Sequence, residues 1–91
     1  MPLRRPDARH VHLSLVNVLR EHGMQHLAGM VQCRFVPALA FPTYLVIAAG
    51  EARAFVAAAL ERALGREFAT SDAPWVLETE EATRLAYSPA I

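Results

Sequence analysis

The chain has 91 residues, which is enough for one domain and too few for two. Nine arginines balance nine acidic residues, so the net charge is zero and the basic field that a DNA- or RNA-binding protein needs is not expected. Because the chain contains no lysine, a lysine nucleophile or Schiff-base mechanism is excluded.

The hydrophobic share of the sequence is 54%, which is high for so short a chain. A small interior cannot house that much apolar surface, so we expect part of it to meet another chain. The longest uncharged run, residues 35–50, is too short to span a membrane and is interrupted by two prolines. One cysteine permits no internal disulfide and the first residues do not resemble a signal peptide, so we expect a cytoplasmic protein.

The first predicted element is a helix over residues 8–22, which follows a flexible N-terminal arm of residues 1–6 and opens a single domain over 7–91. Asp7 is a favourable N-cap for this helix, and Gly23 supplies the left-handed residue that commonly ends one. The predicted apolar face consists of residues at helical spacing: Val11, Leu15, Val18, Leu19 and His22.

A strand is the alternative for the same segment. Val11, Leu13 and Leu15 also alternate with polar neighbours, namely His10, His12 and Ser14. The helix is favoured because the segment has both a start signal and a stop signal.

Two strands are predicted beyond a connection at residues 24–30. Residues 31–35 alternate between apolar and polar side chains, which is typical of a strand with one buried face. Residues 43–49 are apolar on both faces and rich in β-formers, which indicates a central strand. The uncharged bridge from Pro37 to Pro42 would join the two strands as a hairpin.

A second helix is predicted over residues 51–64, where apolar side chains recur at helical spacing before Gly65. Residues 67–70 then suit a short strand, residues 71–74 a turn, and residues 75–77 another short strand.

The last element has two interpretations. Thr79 is a possible N-cap of a helix that reaches Ala86, with acidic residues in its first turn. Alternatively, Thr83, Leu85 and Tyr87 alternate as a hairpin strand would. The helix is favoured.

These elements predict an α+β fold: a two-layer sandwich in the order α-β-β-α-β with a final short helix or strand. The sheet would be mainly antiparallel, with the helices on one face. Since strand 43–49 is apolar on both faces, we expect another subunit, a partner or a ligand on the face that the helices leave uncovered.

The histidines are a weak sign of a metal site. His22 and His26 have a helical ligand spacing, and Cys33, His10 and His12 are further potential ligands. Gly23 is predicted to end the helix between His22 and His26, so the two side chains are not expected to lie on one helix face. The sequence therefore predicts no metal or other cofactor, with His22 and His26 as weak metal candidates.

No catalytic residue is predicted. Cys33 lies on the predicted buried face of its strand, where a free cysteine usually serves as a small hydrophobe. None of the serines lies in a strained nucleophile elbow; they are Ser14, Ser71 and Ser88. An acidic cluster could hold a hard cation, but a solvated helix start explains it more simply; its members are Glu78, Glu80 and Glu81.

Four large apolar residues are predicted to line an interface or ligand groove, namely Phe41, Tyr44, Val46 and Trp75. The favoured function is a small non-enzymatic protein-interaction or regulatory module that acts as a homo-oligomer. Its expected partner is a second copy, as a homodimer, or another protein, and neither nucleic acid nor a membrane.

Two alternative functions remain. A small-ligand-binding protein or minor enzyme would use a cleft between the sheet and the 37–42 bridge, with His22, His26 and Arg34 as its polar groups. A metal-binding accessory protein is the weaker alternative and depends on the histidines alone.

Overall fold

The computed structural model describes residues 5–37 and 41–87. Within them, helices and a three-stranded antiparallel sheet follow one another as α1 (Ala8–Glu21), β1 (Val31–Val36), β2 (Thr43–Ala48), α2 (Ala52–Leu64), β3 (Trp75–Glu78) and α3 (Thr79–Ala86). Short 3-10 helices occupy Gln25–Met30 and Thr70–Asp72. The predicted α+β fold and its element order are confirmed, and the final element is a helix.

The ends of α1 show why this segment is a helix and not a strand. The Asp7 carboxylate accepts the backbone N–H of His10 at 2.8 Å, which satisfies a donor that the first turn leaves open. At the other end Gly23 is left-handed, with φ of +72°, and the N–H of Met24 donates to the carbonyl of Leu19 at 2.7 Å. His22, predicted on the apolar face, is instead exposed at the C-cap, where the backbone leaves the helix.

The sheet has the order β1-β2-β3, so β2 is the central strand as its composition predicts. The pairing places Cys33 and Trp75 on either side of Val46. The face of the sheet that carries Cys33, Val46 and Trp75 packs against all three helices in one core. The core includes, from the helices, Val11, Leu15, Leu19, Ala52, Val56, Leu60, Ala82 and Leu85.

The segment before β3 is not a strand, although residues 67–70 were expected to form one. Phe68 is buried in the core, and the indole N–H of Trp75 donates to the carbonyl of Ala69 at 2.9 Å. This hydrogen bond occupies the carbonyl of Ala69, and the 3-10 helix Thr70–Asp72 begins at the next residue. The turn predicted over residues 71–74 includes the last part of this 3-10 helix.

The N-cap of α3 is Glu78, one residue before the predicted Thr79. Glu78 is extended, with φ of −75° and ψ of 164°, and forms a reciprocal capping box with Glu81. Thr79 is the first helical residue, and its hydroxyl donates to the carbonyl of Pro42 at 3.2 Å. This bond ties the start of α3 to the start of β2.

Candidate protein-interaction surface

Three of the four residues predicted to line an interface lie in the core. Tyr44, Val46 and Trp75 are on the helix-covered face of the sheet, with 0%, 0% and 3% of their surfaces exposed. A partner cannot reach them while the domain is folded, so the surface assigned to them is corrected. Phe41, at 75% exposed, is the one that faces solvent.

The opposite side of the sheet, which we call the open face, carries the alternate residues of the three strands: Gln32, Arg34, Val36, Thr43, Leu45, Ile47, Val76 and Glu78. Leu45 and Ile47 on β2 are partly exposed, and Val76 on β3 is 51% exposed. The three described helices pack against the other face. An apolar strip with no helix over it therefore runs along the centre of the open face.

Charges on the open face lie at its margins and differ in sign. The pairing places Arg34, Leu45 and Val76 in one row across the sheet. Glu78 lies on β3 opposite Thr43, one row further along. Arg34 therefore places a positive charge on the β1 side of the open face, and Glu78 places a negative charge on its β3 side, where Arg66 also reaches the carbonyl of Val76. The centre of the face is apolar.

Sequence reasoning missed Leu45, Ile47 and Val76 as surface residues. For Val76 a signal existed, since a strand that alternates Trp75, Val76, Leu77 and Glu78 places valine on the same face as a charge. For β2 the residues from Tyr44 to Ala49 are all apolar, so alternation alone cannot say which set faces outward.

A shallow groove runs between α1 and the outer edge of β1. It has a volume of about 480 Å³ and is lined by Ala8, Arg9, His12, Val31, Gln32, Cys33 and Arg34. The imidazole Nε2 of His12 lies 3.0 Å from the carbonyl oxygen of Val31. We call this feature the β1 groove.

Cys33 lies in the β1 groove and is partly buried. Burial raises the pKa of its thiol to about 11, because desolvation disfavours the thiolate. At neutral pH the thiol is protonated and is a poor nucleophile. The geometry therefore agrees with the interpretation of Cys33 as a small hydrophobic residue.

The acidic cluster near α3 has structural partners. The Arg66 guanidinium Nε lies 2.6 Å from Glu81 Oε2, and another nitrogen of the same group donates to the Val76 carbonyl at 3.0 Å. The hydrogen bond from Arg66 lowers the pKa of Glu81, and the same bond raises that of Arg66. Since Glu78 and Glu81 also cap α3, helix formation and this ion pair account for both carboxylates.

The histidines do not converge. His22 and His26 are both exposed, and the His22 ring lies 6.2 Å from that of Phe55. His10 lies beside Asp7, with 3.3 Å between Nδ1 and the carboxylate. Within residues 5–37 and 41–87, no group of three or more histidine, cysteine, aspartate or glutamate residues could hold a metal ion.

The remaining candidates add no chemistry. The Ser14 hydroxyl donates to the carbonyls of His10 and Ala86, at 3.2 and 3.4 Å, and so links α1 to α3. Residues 38–40 of the predicted 37–42 cleft, residues 1–4 of the predicted arm and Ser88 lie outside the described residues. Within the described part of the arm, Pro6 is buried and its carbonyl accepts the Tyr44 hydroxyl.

Among the helices in the described ranges, none has both the length and the apolar character needed to cross a membrane. Comparison with protein-family models, with curated proteins and with solved structures gave no match.

Proposed function

We propose that this chain is a non-enzymatic protein-interaction module that forms a homodimer through its open face. The observation that supports this proposal is the apolar strip formed by Leu45, Ile47 and Val76 on the side of the sheet away from the helices. A solvated sheet face usually carries polar residues along its strands, whereas the central strand here has apolar residues on both faces. A contiguous apolar patch rimmed by polar residues is typical of an interaction site.

Charge complementarity favours a second copy as the partner. A two-fold axis parallel to the strands lays β2 on β2 and sets β1 of each copy against β3 of the other. Arg34 then faces Val76 of the second copy, two residues from that copy's Glu78. A two-fold axis across the strands would instead bring the two Arg34 side chains together, which like-charge repulsion disfavours.

The size of the open face sets the expected strength of association. Strands of six, six and four residues give a footprint of roughly 260 Å², at about 4.8 Å between strands and 3.4 Å per residue. A standard stable interface buries about 800 Å² on each partner. We therefore expect a weak, concentration-dependent homodimer. We also propose that the module is cytoplasmic, since a free thiol such as that of Cys33 stays reduced in that compartment.

The deciding experiment is sedimentation velocity from about 10 µM to about 1 mM protein, a range that brackets a weak dissociation constant. We expect the weight-average mass to rise toward that of a dimer. Leu45→Glu should abolish the rise, because it places a charge at the centre of the interface.

Leu13→Glu is the matched control. Leu13 is 49% exposed on α1, away from the open face, so the same substitution there should leave association unchanged. A wild-type protein that stays monomeric over the whole range would refute the homodimer. So would a dimer that Leu13→Glu disrupts and Leu45→Glu does not.

A further inference from the structure

The two edges of the sheet differ in how their backbone groups are satisfied. The N–H of Ala49 donates to the carbonyl of Met30 at 3.0 Å, which fixes the phase of the ladder between β1 and β2. Backbone groups of Gln32 and Arg34 therefore point toward β2. Those of the alternate residues point away from the sheet; these are Val31, Cys33 and Phe35.

In the outward row of β1, both backbone groups of Val31 have partners, and its N–H donates to the carbonyl of Ala28. His12 Nε2 lies 3.0 Å from the carbonyl oxygen of Val31. Cys33 and Phe35 follow in the same row, and within the described ranges β1 has no strand neighbour other than β2. Beyond Val31, this edge therefore presents strand-forming donors and acceptors at two residues, Cys33 and Phe35.

The opposite edge, along β3, is closed by side chains. Arg66 donates to the outward carbonyl of Val76 at 3.0 Å, and Glu81 accepts the N–H of Glu78 at 3.2 Å. β3 is also short, with four residues. Charged side chains and short strands are devices by which proteins block edge-to-edge pairing. Within residues 5–37 and 41–87, one edge of the sheet is thus protected and the other has no strand beside it.

The surroundings of the accessible edge are basic. Arg9, Arg34 and His12 line the β1 groove, and none of the residues that line it is acidic. The Arg5 guanidinium lies over the Phe35 ring, 4.7 Å from its centre, and adds a third arginine at the far end of β1. Asp7 is the acid nearby in sequence, and its carboxylate is engaged by the N–H of His10.

We infer that the β1 edge binds an extended acidic peptide as a fourth strand of the sheet. The backbone of the peptide would pair with the outward groups of Cys33 and Phe35, as in β-strand addition. Its side chains would alternate, so that acidic residues meet Arg34 on one side and Arg9 on the other. This site adjoins the open face and shares Arg34 with it, but strand addition at the β1 edge does not depend on the proposed homodimer.

Charge also argues against a second copy at this edge. Two β1 strands paired about a two-fold axis at Cys33 would place each Arg34 opposite Gln32 of the other copy and diagonal to the other Arg34. The two Arg9 side chains would add to the positive charge at the same junction. An acidic strand neutralises this charge, whereas a second copy doubles it.

The test is fluorescence anisotropy with a labelled peptide that repeats two glutamates followed by two valines, titrated with the full chain at low salt. This repeat places glutamates on both sides of an extended strand. We expect saturable binding that weakens as salt is added. A peptide with lysine in place of glutamate should not bind. The glutamate peptide with N-methylated backbone amides on its pairing edge should also lose binding, because methylation removes the strand-forming donors.

Arg34→Glu should weaken binding of the glutamate peptide about fivefold or more, since it replaces an attraction with a repulsion. Arg62→Glu makes the same change on an exposed position of α2 and should leave binding unchanged. The inference is overturned if the glutamate peptide does not bind, if the N-methylated peptide binds as well, or if both variants lose affinity equally.

Discussion

Glu81 connects three parts of the chain through one carboxylate. It accepts from Arg66, at the start of the segment that follows α2, and from the backbone N–H of Glu78, at the end of β3. It also belongs to the first turn of α3, where a negative charge is favourable. The Glu81 side chain is 14% exposed and that of Arg66 is 48% exposed, so solvent screens this pair from the arginine side.

Glu81→Gln should lower the free energy of unfolding by about 1 kcal/mol at pH 7, because the charge-assisted bond to Arg66 is lost. The folded-state pKa of Glu81 lies below its ordinary value, so its stabilising contribution is complete above about pH 4.3 and is lost as the pH falls through the folded-state pKa. Urea unfolding at a series of pH values should therefore show wild type and variant converging in acid.

Glu80→Gln provides the control for this prediction. Glu80 is an exposed acid in the same first turn of α3, so the two substitutions share the effect on the helix dipole. Equal losses for the two variants at neutral pH would show that the contacts of Glu81 with Arg66 and Glu78 add nothing.

Among the elements, β2 shows how the two faces of the sheet differ in burial. Its neighbours Leu45 and Val46 are both aliphatic, yet Val46 is fully buried beneath the helices and Leu45 is partly exposed on the open face. Burial therefore follows from the side of the sheet and not from residue type. A substitution at one position acts on the core, and at the other on a surface.

Val46→Ala should destabilise the monomer by about 2 kcal/mol or more, through lost apolar contacts and a residual cavity. Leu45→Ala removes more atoms but should cost less than about 1 kcal/mol, since its side chain is not enclosed. Urea unfolding in dilute solution, below the range of association, compares them directly. A larger loss for Leu45→Ala would contradict the assignment of faces.

At the scale of the whole molecule, the helices cover one side of a single sheet. This arrangement has one enclosed core and leaves the apolar strip of the open face outside it. In the proposed homodimer a second copy would complete a four-layer molecule, with the two sheets in the middle. Folding and association would then be linked, because only the folded chain presents the open face.

Because only the folded chain would associate, the Tm of the wild-type protein should depend on protein concentration. Raising the concentration from well below to well above the dissociation constant should raise the Tm of wild type by about 4–8 °C, if association contributes roughly 1 kcal/mol. Leu45→Glu should show no such rise, because it cannot associate. Calorimetry at two concentrations measures both proteins, and a wild-type Tm independent of concentration would contradict the proposal.

Elements with complete local signals were predictable from sequence. The N-cap Asp7, the apolar spacing of α1 and the terminating Gly23 act within a few residues of one another, so they define α1 without tertiary information. The acids after β3 likewise favoured α3 as a helix. These signals are hydrogen bonds and backbone preferences that form locally.

The order of helices and strands and the central position of β2 could be predicted from the amino acids alone, because they depend on local signals and on composition. The enclosed face of β2 could not be predicted, because Tyr44, Leu45, Val46 and Ile47 are all apolar and their faces are set by pairing with β1 and β3. Segment 67–70 was misjudged for a related reason: Phe68 packs in the core and Trp75 takes the carbonyl of Ala69, contacts that depend on the assembled fold.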